Sequence, residues 1–465
     1  AGYGRRIQDA VSTADIFGQS NFVGGLAGQA DSGIYDSSAS GQVSGHINGS
    51  GLNFAGTYVG GLVGYSNNVI RNSHATGSLV KGGHQTGGLV GHTDNHVYDS
   101  YATADVETNS SYSGGLVGLS HQIIYDSYAT GDVTTNNAYS GGLGGYVRAI
   151  YDSYATGNVT STSSYVGGLA GVLQVADNAY ATGTVSGSSY VGGFVGEQQG
   201  GGTVSDSYAT GAVTSNGSQV GGFAGRANGA ISNSFANGSV VGSTFAGGFV
   251  GYQNSGSIIN SFTNGDVSAV GDYVGGFVGY QNSGRITNTS STGSVYTPAK
   301  NYVGGFVGQS NGTITDSTVV ISTVNETSGF GVFGHSFIGG FSGYNQGAIS
   351  NSTATASIKG QASTGGFVGR KVAGTISSSG AFGSVTGTNA VGGFAGRVDA
   401  GTISSSYSNS LVVGSSTDAT TFVGGFVGYL DNGAITTSRA AGAVSGSYRV
   451  GGFVGSMFGS GSIGQ

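Results

Sequence analysis

The sequence predicts an all-β fold, a three-sided parallel β-solenoid of about 16–17 coils with ~27 residues per coil. Three observations predict it. A glycine core typified by Tyr273-Val274-Gly275-Gly276-Phe277-Val278-Gly279 recurs sixteen times, with its first glycine running from Gly24 and Gly60 to Gly424 and Gly451. Apolar residues recur at fixed offsets from that core. The stretches between are too short for helices, and their β-branched and aromatic residues alternate with polar ones, as in strands. Each unit then packs only on its neighbours. The expected organisation is one solenoid domain, 1–465, with incomplete coils at 1–17 and 450–465.

The coil is read in chain order. The residue after Gly-Gly is Leu from Leu26 to Leu169 and Phe from Phe194 to Phe453. A position that is always large and apolar belongs to the core. Its alternate neighbours include Thr86, Ser113, Ser140 and Ser342, which read as outward or shallow. A polar turn follows, then a second inward row with Ile34, Ile150, Ile286 and Ile435, broken once by Ala176. The third inward row is valine, with Val43, Val159, Val295 and Val444. Glycines at the bends are expected to supply positive φ, and the paired glycines to let the chain turn close to the Phe row. Three repeats are longer. Their extra residues are read as insertions at one corner, at 44–57, 321–337 and 413–421.

Composition narrows the function classes. Charged residues are 8%, about a third of the usual share, and the net charge is −7. The 14 Lys and Arg form no cluster, so a nucleic-acid partner is not expected. No apolar run is long enough for a membrane-spanning helix, so no membrane insertion is expected. Cysteine is absent, so stability is expected to come from the array rather than from disulfides. Residues 1–6 do not read as a signal peptide, yet the composition leans toward a secreted, extracellular cell-surface protein.

The core Gly-Gly-[Leu/Phe]-Val-Gly is followed by a Gly-x-Ile-x-[Asn/Asp]-Ser stretch. Gly60-Gly61-Leu62-Val63-Gly64 and Gly115-Leu116-Val117-Gly118 show the core well. This pattern resembles the GLUG repeat of large bacterial surface and secreted proteins, including adhesins and the non-catalytic part of some immunoglobulin A peptidases. The resemblance implies architecture and a surface or adhesive setting. It carries no chemistry. The peptidases of that group use a His-Glu-x-x-His helix, which this chain lacks.

Candidate chemistry is sparse, and an enzyme is not expected. Asp399 and Asp431 share a turn position in neighbouring coils and are the nearest thing to a carboxylate pair. His84, His92, His96 and His121 fall within two coils but lack Cys or Glu partners for a metal. An acid/amide row runs from Asp36 through Asn72, Asp99, Asp126 and Asp152 to Asn351. It reads as a hydrogen-bonded ladder. Calcium bridging Asp99, Asp126 and Asp152 is the one cofactor the pattern leaves open.

An aromatic stripe, Tyr101, Tyr128, Tyr154, Tyr180 and Tyr208, is expected to point outward beside Tyr98, Tyr125 and Tyr151. It could contact glycans, pack against another molecule, or simply stack on itself. A threonine row, Thr103, Thr130, Thr156, Thr182 and Thr210, raises ice binding as a lesser reading. At the ends, Ile7, Val11 and Ile16 face Phe453, Phe458 and Ile463 as complementary parts of one coil, the last piece stopping where its second strand should start. The leading expectation is an extracellular structural or adhesive protein whose partner is itself, stacked head to tail into a filament or matrix fibre. The alternative is a glycan-binding shaft of a larger adhesin on a host or cell surface.

Overall fold

The computed structural model describes residues 6–18, 21–45, 58–322, 325 and 328–464. It is a parallel β-solenoid of about sixteen coils with three sheets, and the described residues contain no helix. The chain forms two compact units, 1–217 with 223–230, and 218–222 with 231–465.

One coil of the second unit shows how the sequence makes the turn. Val274–Gly275 lies on a glycine sheet. The chain bends at Gly276-Phe277 and enters an isoleucine sheet through Val278–Gln281 and Arg285–Thr287. It then crosses to a valine sheet through Ser290–Ser291 and Val295–Tyr296. Inner strands pair with their equivalents above and below, as in Ile286 with Ile258 and Ile314, and Val295 with Val267 and Val332. The first unit repeats the scheme, with Ile124 on Val97 and Ile150, and Val159 on Val133 and Val185.

The core is the three rows the sequence predicts. Phe277, Ile286 and Val295 are fully buried. In the second unit the phenylalanine rings stack from Phe249 through Phe277, Phe306 and Phe341 to Phe453, with Phe277 and Phe306 centroids 4.8 Å apart. Thr86, Ser113, Ser140 and Ser342 are not shallow: all are fully buried. The hydroxyls of Thr86, Ser113 and Ser140 donate to the carbonyls of Gly83, Ser110 and Asn137 in the corner before the core. In these three coils the small hydroxyl closes the corner from inside and is itself paired.

The glycines act differently from expectation. A Cβ on Gly276 would strike the carbonyl oxygen of Gly305 in the next coil. The paired glycines therefore let neighbouring backbones approach, rather than making room for Phe. Positive φ belongs mostly to other residues. The acid/amide row sits there, from Asp36 (φ 50°) and Asp126 (φ 46°) to Asn288 (φ 52°). Asn and Asp tolerate this left-handed region best among side-chain-bearing residues. The next residue, a buried serine, locks the corner. Ser73 N–H donates to Ser100 Oγ at 3.1 Å, and Ser100 Oγ donates to the Tyr98 carbonyl at 2.6 Å.

The insertions do not share one corner. The extra residues after Val412 precede Phe422, between the valine and glycine sheets. The long repeat after Gly304 inserts earlier, because Val332 takes the valine-row position opposite Val295. Most of 44–57 lies outside the described residues. At the C-terminal end, Ser462–Gly464 already forms the second isoleucine-sheet strand, pairing with Ala434–Thr436. The first piece, Arg6–Gln8, occupies the same sheet position, so the end pieces overlap by one strand rather than complementing each other.

Two stability tests follow. Phe277→Ala should cost roughly 3–5 kcal/mol in chemical denaturation. At the corner, Asp126→Gly should be tolerated, whereas Asp126→Val should cost about 1–2 kcal/mol, because a β-branched residue resists positive φ.

Candidate functional site

The tyrosines divide into groups with different geometry. Tyr101, Tyr128, Tyr154, Tyr180 and Tyr208 lie on the valine sheet of the first unit. Their rings stack at 4.9, 5.0, 4.7 and 4.9 Å with planes within 2° of parallel, and His74 stacks below Tyr101. Each ring face inside the ladder is covered by its neighbours, and the side chains are half-buried. What remains open is the ring edges and hydroxyls. This row does not offer flat faces to a ligand. The exposed Thr103, Thr130 and Thr156 run beside it, with Asp105, Asp132 and Asn158 next along the same face.

Tyr98, Tyr125 and Tyr151 lie on the isoleucine sheet, around the left-handed corner from the ladder. Here the rings are 6.3 and 6.2 Å apart and tilted by 54° and 40°. Tyr125 is 38% exposed. The Tyr125 hydroxyl bonds Asp152, which raises its pKa above the ordinary tyrosine value. The tilted rings line a cavity of about 390 Å³ with Ile123.

A third aromatic row escapes the sequence reading. The residue two positions before the glycine pair is Tyr112, Tyr139, Tyr165 and Tyr190 in the first unit, and Phe245, Tyr273, Tyr302 and Phe337 in the second. All have positive φ. Tyr165 and Tyr190 stack at 4.5 Å, as do Tyr273 and Tyr302. In the second unit Tyr252, Tyr280 and Tyr344 meet this row edge-on. The signal was present, since an aromatic precedes the core in most repeats. It heads the recurring core, as Tyr273 does, but the reading of inward rows began at the glycines.

The remaining candidates scatter. Asp99, Asp126 and Asp152 occupy successive corners, and desolvation followed by the charges of Asp152 and Asp99 raises the Asp126 pKa. Among the described residues no group of three His, Cys, Asp or Glu side chains comes together to hold a metal. The amides of the row form ladder rungs, with Asn72 Nδ2 donating to Asp36 at 2.6 Å, Asn178 Nδ2 to Asp152 at 2.7 Å and Asn288 Nδ2 to Asn260 at 2.8 Å. Asp399 accepts from Arg370 at 2.6 Å and also from Arg397, so it is held by arginines rather than poised opposite Asp431.

The histidines separate as well. His92 bonds Asp94 at 2.9 Å and Gln85 at 2.6 Å, while His96 Nδ1 accepts from the Ile123 N–H. His84 lies by Tyr112. His121 meets the His92 ring at 6.1 Å. Tyr65 donates to Asp94 at 2.6 Å, and this bond to a carboxylate pushes its pKa up to about 12.

One buried charge was not singled out from the sequence. Lys371 is fully buried at a position that in other coils holds Gln198, Gln253 or Gln281. Each of those amides donates to turn carbonyls. Lys371 Nζ does likewise, reaching the carbonyls of Ala373 at 2.6 Å and Gly374 at 2.9 Å, with Asn345 Oδ1 at 3.4 Å. Among the described residues no carboxylate bonds it, and burial pushes its pKa down to about 8.

Six segments, 55–80, 82–107, 109–134, 187–214, 271–296 and 334–359, match the GLUG motif. No curated protein and no solved structure matches the chain.

Two outcomes are expected. Changing Tyr128, Tyr154 and Tyr180 to Ser should lower stability by about 2 kcal/mol or more in urea titration, since stacked pairs contribute about 0.5–1.5 kcal/mol each. For Lys371 the unfolded chain keeps its proton to higher pH than the folded chain. Stability should therefore rise from neutral pH toward about pH 10 and be lost as pH falls through 8. Lys371→Gln should flatten that rise.

Proposed function

We propose that this GLUG-repeat solenoid is a structural or adhesin-like protein of the cell exterior that works by presenting surface rather than by catalysis. The observation that supports this most is the uniformity of the coils. The same rows recur in both units, and the acid and amide rows are spent on bonds between coils. Candidate catalytic groups are engaged or apart: Asp399 with its arginines, His92 with Asp94 and Gln85. A surface of this kind suits repeated, weak contacts.

The finer reading is head-to-tail self-association. In the first described coil Val11 is 71% and Phe17 62% exposed, with Ile7 and Ile16 partly so. In the last coil Met457, Phe458 and Ile463 are each about half exposed and Phe453 partly so. Ile7, Ile16, Phe453, Met457 and Ile463 hold rows whose equivalents Ile34, Val43, Phe426, Leu430 and Ile435 are buried, whereas Val11 and Phe17 pair with the outward-facing Ser38 and Ser44. A further coil of the same repeat would continue these rows. A second copy stacked on this edge makes an open, heterologous interface that need not close.

Sedimentation velocity over a range of concentrations tests it. The expected result is a series of growing species, reduced by Phe458→Asp. A monomer at every concentration would remove self-association. Protease shaving of intact cells tests the exterior setting, and protection from the protease would count against it.

A further inference from the structure

We infer that a trough on the isoleucine sheet of the first unit binds an extended, neutral polysaccharide; the inference deepens the adhesin-like part of the reading above. The trough arises where the coil is shortest. In most coils a polar turn separates the two strands of this sheet. In the coil after the trough, residues 199–203 fill that space, between the positions paired with Leu173 and Ala176. In the two preceding coils only Arg148-Ala149 and Gln174-Val175 stand there, and the strands run on unbroken as Gly144–Tyr151 and Ala170–Asp177. The coil before those is also one strand, Val117–Tyr125, with a register shift between Ser120 and Ile123. The missing turns leave a depression across consecutive coils.

Its parts are arranged in three parallel lines. The floor is apolar, with Ile123 paired to Ala149 and Ala149 to Val175. One wall is the open tyrosine row, Tyr98, Tyr125 and Tyr151, and the adjoining cavities of about 390 and 340 Å³ share Ile123 and Tyr151. The other wall carries Gln122, Arg148 and Gln174. Among the described residues none of these three side chains makes a hydrogen bond or ion pair within the chain. The ends are closed. Arg71 sits 4.6 Å over the Tyr98 ring, and Tyr146 donates to Gln199 of the turn at 3.2 Å. The aromatic wall stops where Asp177 takes the position after Tyr151.

A ribbon-like β-linked hexose chain matches these lines. Its flat C–H faces suit tilted aromatic rings with open faces, which the stacked ladder around the corner lacks. Its hydroxyl edges suit unpartnered amides, which both donate and accept. Charge selects against the alternatives. Arg148 stands on one wall, and Asp99, Asp126 and Asp152 follow the tyrosines on the other side, so a polyanion or a polycation meets like charge along one edge.

Isothermal titration with cellohexaose tests the site, with hexagalacturonate as the charged comparison. Cellohexaose should bind, and Tyr125→Ala and Tyr151→Ala should each weaken it tenfold or more. Gln174→Ala, on the opposite wall, should weaken it several-fold, while Tyr154→Ala in the ladder should leave it within twofold. Thermal melts show whether each variant is folded, and Gln174→Ala carries the test if a tyrosine variant is not. No binding of cellohexaose, equal binding by all variants, or preference for hexagalacturonate would overturn the proposal. Cells or purified protein that still attach to surfaces while cellohexaose fails to bind would sink the trough and leave the adhesin-like reading standing.

Discussion

Within each unit, every coil hydrogen-bonds to the next, and this single constraint governs the rest. The Phe277 N–H donates to the Phe306 carbonyl at 2.8 Å, and the Ile and Val rows pair the same way. A strand paired on both edges cannot change shape alone. A residue at a corner must therefore adopt the backbone angles of the residue above it, whatever its side chain. This is why Ser378, Ser405 and Thr437 hold the same left-handed corner as Asn288 and Asp316. The side chain follows the backbone, and the backbone follows the stack.

Legibility in the sequence tracks this constraint. Phe277, Ile286 and Val295 were recognisable as core because their equivalents barely change along the chain. The corner residues were recognisable as a row but not as a conformation. Asn and Asp suggest a ladder as readily as a left-handed turn, and the structure shows both at once. Tyr112 and Tyr273 were harder. An aromatic at positive φ is unusual, so nothing local announces it. The trough was hidden for a different reason. It is made by residues that are missing, and a shortened turn shows only when register places Gln174-Val175 against 199–203.

The same stacking decides what an aromatic residue can do. In the ladder through Tyr154 the rings cover one another, and their contribution goes to cohesion between coils. Along Tyr125 the strand runs on without its turn, the rings tilt, and surface becomes available. Two tyrosine rows that look alike in sequence thus differ in role because one sits on a regular sheet and the other beside a bulge. Lys371 is the converse case, a residue foreign to its row that keeps the row's bonding pattern. It donates to turn carbonyls as the glutamines do, but at the expense of a buried charge.

Matched rows above and below each coil also bear on inheritance. A duplication or loss of one whole repeat in the gene would leave Phe on Phe, Ile on Ile and each left-handed corner on its equal. Such an event meets little selection from folding, whereas a frame-preserving change of one or two codons inside a strand would offset every bond to both neighbours. Repeat number in this lineage should drift freely by recombination, while the spacing inside strands stays fixed. The turns and insertions between them, where Asn325 and the shortened corner at Ala149 lie, are where descendants would diverge in what they touch.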